Sequence, residues 1–155
     1  MPNASLKRVR GKGSRVRGSR MEKPHKKLDA WREAVELTLS IYHATDNFSR
    51  EHRFALTDQI HRAALSVASN IAEGAARQTK KEFANYLHIA QASLSELDTQ
   101  LEIAKTLKFL SGEQWSKLDA QMNHIDKLLS GLIRYLKSGK SQSTPPHPSP
   151  LTPHC

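Results

Sequence analysis

The sequence predicts an all-α protein, an antiparallel up-and-down four-helix bundle over residues 24–137 flanked by a disordered basic N-terminus and a disordered Pro-rich C-terminus. Three observations predict it. Apolar residues recur at steps of three and four throughout that span, the period of a helix face. In the last two runs the steps alternate so regularly that the helices must pack at shallow angles, as in a bundle. No strand-like alternation or hairpin turn competes with them. The length of 155 residues allows one domain.

Leu28, Trp31, Val35, Leu39 and Tyr42 mark a first helix over about 26–45. The loop "TDNFSREHR" follows, with Ser49 as the expected N-cap of the second helix. In that helix Leu56, Ile60, Ala64, Val67 and Ile71 keep the step, and it should stop between Gly74 and Arg77. Thr79-x-x-Glu82 is a capping box that opens the third helix, whose seam is Phe83, Leu87, Ala90, Leu94, Leu97, Leu101 and Ala104. Ser111-Gly112 ends it, and Ser111-x-x-Gln114 is a second capping box. Trp115, Leu118, Met122, Ile125, Leu129, Leu132 and Leu136 form the seam of the fourth helix.

The second helix carries more than one apolar face. Phe54, Leu65, Ala68, Ala72 and Ala75 cover a side about a third of a turn from the first, leaving Gln59, Arg62, Ser66, Asn70, Glu73 and Arg77 as a polar stripe. A surface helix needs an apolar stripe of about 100°, and this one shows roughly twice that. A four-helix monomer offers one side for burial, so the second face predicts a subunit interface in a homo-oligomer. Alanine as helix-favouring filler is the competing reading.

The termini are low in complexity. Residues 1–23 are a basic leader and residues 138–155 a Pro-rich tail, and neither can bury enough apolar surface to offset chain entropy. A second reading makes Met21 the start, with residues 1–20 as translated leader. The formal charge of +9 suggests a polyanion partner, yet seven of the cations lie in residues 1–20, where there is no acid. The bundle itself is therefore close to neutral. The single cysteine, Cys155, excludes an internal disulfide and fits a reducing cytoplasm. No apolar run approaches the roughly 20 residues of a membrane span, and the basic leader lacks the apolar segment of a secretory signal.

The stretch "FALTDQIHRAALSVASNIAEGAARQTKKEFANYLHIAQASLSELDTQLEIA" resembles the four-helix-bundle family first noticed as open reading frames in intervening sequences of bacterial 23S rRNA genes. The likeness covers about residues 25–137. Ser69-Asn70-Ile71-Ala72-Glu73-Gly74 is its most specific part, supported by Gln59-Ile60-x-Arg62-Ala63-Ala64 and Ser93-Leu94-x-Glu96-Leu97. His52, His61 and Ala92 depart mildly from it. The resemblance implies an up-and-down bundle that assembles into a ring-like pentamer. It also implies a relative in the accessory protein of diversity-generating retroelements, which binds a reverse transcriptase and nucleic acid. For the rRNA-associated members it implies an RNA-related role without enzymatic activity.

The residues themselves point away from catalysis. Glu73, Asp98 and Glu102 are available carboxylates, but no HExxH, CxxC, GxSxG or Walker-type loop occurs. His43, His52, His61 and His88 are scattered, without ligand pairs at helical spacing, so neither a metal nor a cofactor is expected. Asn70 and Glu73 have a sharp reading as a functional pocket. The preferred one is a buried hydrogen-bond network, with Ser66 and Arg77 as partners, that cross-links helices or subunits. Gly74 lets another backbone approach or ends the helix in the left-handed cap conformation. Arg77, Lys80 and Lys81 surround the start of the third helix, where free N–H groups favour an anion, and Arg62 adds to one side. Copies in an oligomer would make that weak patch multivalent. Trp31, Phe83 and Trp115 fall on core seams, which argues against base stacking.

The expectation is a non-enzymatic oligomer of the cytoplasm that binds structured RNA, or DNA, through Arg62, Arg77, Lys80 and Lys81. The alternative is a protein-interaction scaffold or reverse-transcriptase accessory subunit.

Overall fold

The computed structural model describes residues 22–49, 51 and 53–139. The expected disorder of 1–21 and 140–155, and the question of Met21, lie outside the described residues. A 3-10 turn, Pro24–Lys27, leads into α1 (Asp29–Thr45). After a loop and a π-helical turn at Arg53–Thr57 come α2 (Asp58–Ala75), α3 (Lys80–Thr106) and α4 (Gly112–Lys137). The described residues contain four α-helices and no strand.

Side-chain pairs fix the topology. Thr38 and Thr45 of α1 reach Ala64 and His61 of α2, Ser66 of α2 meets Ser93 of α3, and Gln91 of α3 donates to Asp126 and Ser130 of α4. In the first two pairs of helices, rising numbers on one helix meet falling numbers on the next. Gln121 of α4 donates to Ser40 of α1 and closes the bundle. The arrangement is up-and-down.

The core follows the predicted seams closely in α3 and α4. Leu87, Ala90, Leu94, Leu97, Leu101 and Ala104 are buried, as are Leu118, Met122, Ile125 and Leu129. Beyond Leu129 the α4 seam shifts to Ile133, leaving Leu132 and Leu136 half-buried. The box at Ser111 is complete, whereas at Thr79 only the hydroxyl half of the expected box is made. The Thr79 hydroxyl accepts from the Glu82 N–H at 3.2 Å. Ser111 and Gln114 exchange bonds in both directions, at 3.0 and 3.1 Å.

Two expectations are corrected. The α1 core stripe is Ala30, Ala34, Leu37, Thr38, Ile41 and Thr45, whereas Leu39 and Tyr42 are 52% and 44% exposed. The reason is close packing: small residues let α1 approach α2 until Thr38 Oγ1 reaches the Ala64 carbonyl at 3.4 Å. Ser49, expected to cap α2, lies in the loop, and α2 begins only after the π-helical turn, with Thr57 at its N-cap and no side-chain cap. The loop is instead pinned by Phe48, which is buried against Phe109 with ring centroids 5.5 Å apart.

Candidate functional site

The turn from α2 to α3 spans only residues 76–79, so the two helices pass each other within a turn of their ends. At Gly74 they are in close contact. A Cβ built there would lie 2.7 Å from Tyr86 Cβ and 2.9 Å from Phe83 Cδ2. Gly74 is therefore a close-approach glycine inside α2. It is not a left-handed cap: the C-cap is Ala76, in right-handed helical conformation.

Around Gly74 the polar stripe divides into two clusters. The Ser66 and Ser93 hydroxyls are hydrogen-bonded across α2 and α3 at 2.8 Å, and Asn70 Nδ2 donates to the Ser66 carbonyl at 2.8 Å and to its hydroxyl at 3.0 Å. Ser66 thus bridges two helices, while Asn70 bonds only within its own. One turn on, Arg77 donates to Glu73 Oε1 at 2.8 Å and to the Tyr86 hydroxyl at 2.7 Å, with its guanidinium 4.7 Å from the Tyr86 ring centroid. Within one subunit this cluster joins Glu73 and Arg77 to Tyr86 of α3, as the expected cross-link of neighbouring helices, but at the surface: the Arg77 and Glu73 side chains are 39% and 54% exposed. A water-facing ion pair of this kind contributes no more than about 1 kcal/mol; it chiefly holds the Arg77 fork in one orientation.

Lys80 and Lys81 occupy the first turn of α3 and are exposed. Arg77, Lys80 and Lys81 are thus brought to one turn. Arg62 is not among them: it is exposed on α2, fifteen residues before Arg77, or about 22 Å along the helix at 1.5 Å per residue. Tyr86 and Ser93 were not singled out from sequence. Antiparallel pairing about the short turn would have placed them opposite Glu73 and Ser66, but only once the turn length was known.

A second surface lies beside the α1–α2 contact. Tyr42 of α1 and Phe54 (81% exposed) line one shallow groove, with Leu39 a turn away on α1 and Leu65 (48%) a turn past His61 on α2. Tyr42 stacks on His61 with ring centroids 3.9 Å apart, and His61 Nε2 lies 2.8 Å from Thr45 Oγ1. The Thr45 hydroxyl also lies 2.9 Å from the Ile41 carbonyl, and the His61 tautomer sets which of the two side chains donates. Burial pushes the His61 pKa below the usual histidine value, with Asp58 opposing the shift. Among the described residues there is no group of three or more His, Cys, Asp or Glu placed to hold a metal. No described helix is long and apolar enough to cross a membrane.

Residues 26–131 match the family described as 23S rRNA-intervening sequence protein. The fold is similar to a crystal structure from Bacteroides thetaiotaomicron described as a protein with unknown function from the S23 ribosomal protein family. The TM-score is 0.62 and the identity 26%, covering 68% of this chain and 98% of that one. Among curated proteins none matches the sequence significantly.

Proposed function

Because the chain belongs to the 23S rRNA-intervening sequence protein family, we propose that it is a non-enzymatic, oligomeric protein that binds structured RNA through its basic surface. The observation that carries this reading is the position of Lys80 and Lys81, exposed on the first turn of α3, where free N–H groups add to their positive field. Arg77, already oriented by Glu73 and Tyr86, presents its remaining N–H groups beside them. The family name and that of the S23 neighbour supply the rRNA setting.

Contacts of this type are made to phosphate and carry no base sequence. Their signature is salt dependence, because each neutralised phosphate releases counterions. Titration of a labelled RNA hairpin with the full chain at 50 and 200 mM salt tests the reading. Affinity should fall by at least about tenfold over that range. Weak binding that ignores salt, or none at low salt, would reject it.

The exposed side chains at Leu39, Tyr42, Phe54 and Leu65 support self-association through the α1–α2 face. They equally suit a protein partner, the second reading, in which the oligomer is a docking scaffold.

A further inference from the structure

We propose that the RNA-binding surface is one entire end of the bundle, extending well beyond the α2–α3 turn, and that it grips the phosphate backbone of a double-helical segment. The inference rests on the RNA-binding reading above and adds its location and the form of its ligand.

The antiparallel pairing places the start of α1, the end of α2, the start of α3 and the end of α4 at the same end. Gly74 lies against Tyr86 and Phe83, Lys137 Nζ donates to His88 Nε2 at 3.2 Å, and a shallow cleft joins Leu28, Asp29 and Ala30 to Leu128, Gly131 and Leu132. The 3-10 turn belongs to this end too, since Arg32 Nε donates to the Lys26 carbonyl at 3.0 Å and His25 packs edge-on to Trp31.

Charge is sorted along the bundle axis. Residues 22–32, 73–82 and 134–137, which build this end, hold nine lysines and arginines against four acids, a net of +5. Among the described residues, 43–58 and 102–117 at the opposite end hold four lysines and arginines against five acids. The waist between them carries Arg62 and Lys127 against six acids, among them Asp98, Asp119 and Asp126 along the α3–α4 groove. A bundle that is nearly neutral in sum is therefore strongly polarised in space.

Two of the four acids at the basic end are already paired, Asp29 with Arg32 at 3.3 Å and Glu73 with Arg77 at 2.8 Å. Lys26, Lys27, Lys80, Lys81, Arg134 and Lys137 are all exposed. Two helices begin and two finish here, so their dipoles offset each other and the side chains set the field.

A polyanion would be drawn to this end and repelled by the acidic waist. Of the aromatic rings here, Trp31 and Phe83 are half-buried and Tyr86 is engaged by Arg77, leaving Tyr135 as an exposed ring. One ring cannot read a run of unstacked bases, so backbone contact dominates and the dense charge of a duplex is favoured over a single strand.

The test compares two triple reversals in the full chain by anisotropy of a short labelled RNA duplex. Lys27→Glu/Lys80→Glu/Lys81→Glu should cost at least about tenfold in affinity and flatten the slope of log K against log salt by about 2 to 3, given roughly 0.9 per contact on B-form DNA. Lys105→Glu/Lys108→Glu/Lys117→Glu, the same charge change at the opposite end, should stay within about twofold. Equal losses in the two variants, or no loss in the first, overturn the location while leaving RNA binding itself intact. A single strand of equal length that binds as tightly as the duplex overturns the ligand. A matched DNA duplex tells a general phosphate grip from an RNA-selective one; either result upholds the surface if the first variant alone weakens it. Vesicles containing phosphatidylserine that lose binding to the first variant while RNA does not would assign this end to a membrane and overturn the proposal. If the unmodified chain binds no RNA at low salt, the underlying reading fails with it.

Discussion

At Gly74 the helices leave no room for even one more carbon. An added Cβ would lie 2.7 Å from Tyr86 Cβ, an atom fixed to the α3 backbone, so relief requires the helices themselves to part. Overpacking of this kind costs about 1 to 3 kcal/mol, against the roughly 1 kcal/mol that alanine gains over glycine inside a helix. Gly74→Ala should therefore lower stability by a net of up to about 2 kcal/mol in urea unfolding, and a stabilised variant would show that α2 and α3 are not held at this distance. His61 gives a second residue-level test. Its folded pKa is lowered by burial, so the neutral ring is favoured in the native state. Protonation then favours unfolding: the stabilisation is present above the ordinary histidine value near 6.5 and is lost as pH falls through the lower, native one. The unfolding midpoint of the unmodified chain should drop more steeply from pH 7 to 5 than that of His61→Gln. Parallel profiles would remove His61 from the account.

At the level of elements, the helices differ in how readily their sequences declare their packing. In α3 and α4 one regular seam dominates, although Ile89 and Ile103 lie off it and exposed, and the buried residues follow it from Leu87 to Ala104 and from Leu118 to Leu129. Helix α1 has two solutions. Leu28, Trp31, Val35, Leu39 and Tyr42 form the bulkier stripe, yet the core takes Ala30, Ala34, Leu37 and Ile41. Hydrophobic size ranks the first stripe higher; close packing on α2 selects the second, and this depends on a neighbour that the α1 sequence does not specify. The π-helical turn before α2 was hidden for a similar reason, since local capping chemistry at Ser49 says nothing about how Phe48 anchors on Phe109. The two α1 stripes can be told apart by truncation. Leu37 is wholly buried, so Leu37→Ala should destabilise by about 2 to 5 kcal/mol. Leu39→Ala should change the stability of the isolated subunit by no more than about 0.5 kcal/mol. Comparable losses at low protein concentration would return Leu39 to the core.

For the whole molecule, the candidate site was legible only as fragments. The cations at Arg77, Lys80 and Lys81 stand out in the sequence because they cluster within five residues. Lys26, Lys27, Arg134 and Lys137 do not, because chain distance separates what the antiparallel topology brings to one end. The second apolar face was visible on α2 through Phe54 and Leu65, but its extension onto α1 was mistaken for core. That extension matters for assembly. Leu39 and Tyr42 on one helix, with Phe54 and Leu65 beside the next, make a surface two helices wide, and a patch of this breadth is costly to leave in water. The proposed assembly would bury it between copies and leave the basic ends free, so that several weak phosphate sites act together on one RNA. Leu39→Glu/Leu65→Glu places two charges in the expected contact without touching the bundle core. By light scattering, the unmodified chain should have a mass that is a multiple of its 17.4 kDa, five times that value if the ring is a pentamer, and the double variant should be monomeric. The monomer should keep the helical circular dichroism of the bundle while losing more RNA affinity than its two added charges account for, since the avidity of linked sites disappears with the ring. A monodisperse monomer for the unmodified chain would rule out the assembly, and an oligomeric double variant would move the contact to another face.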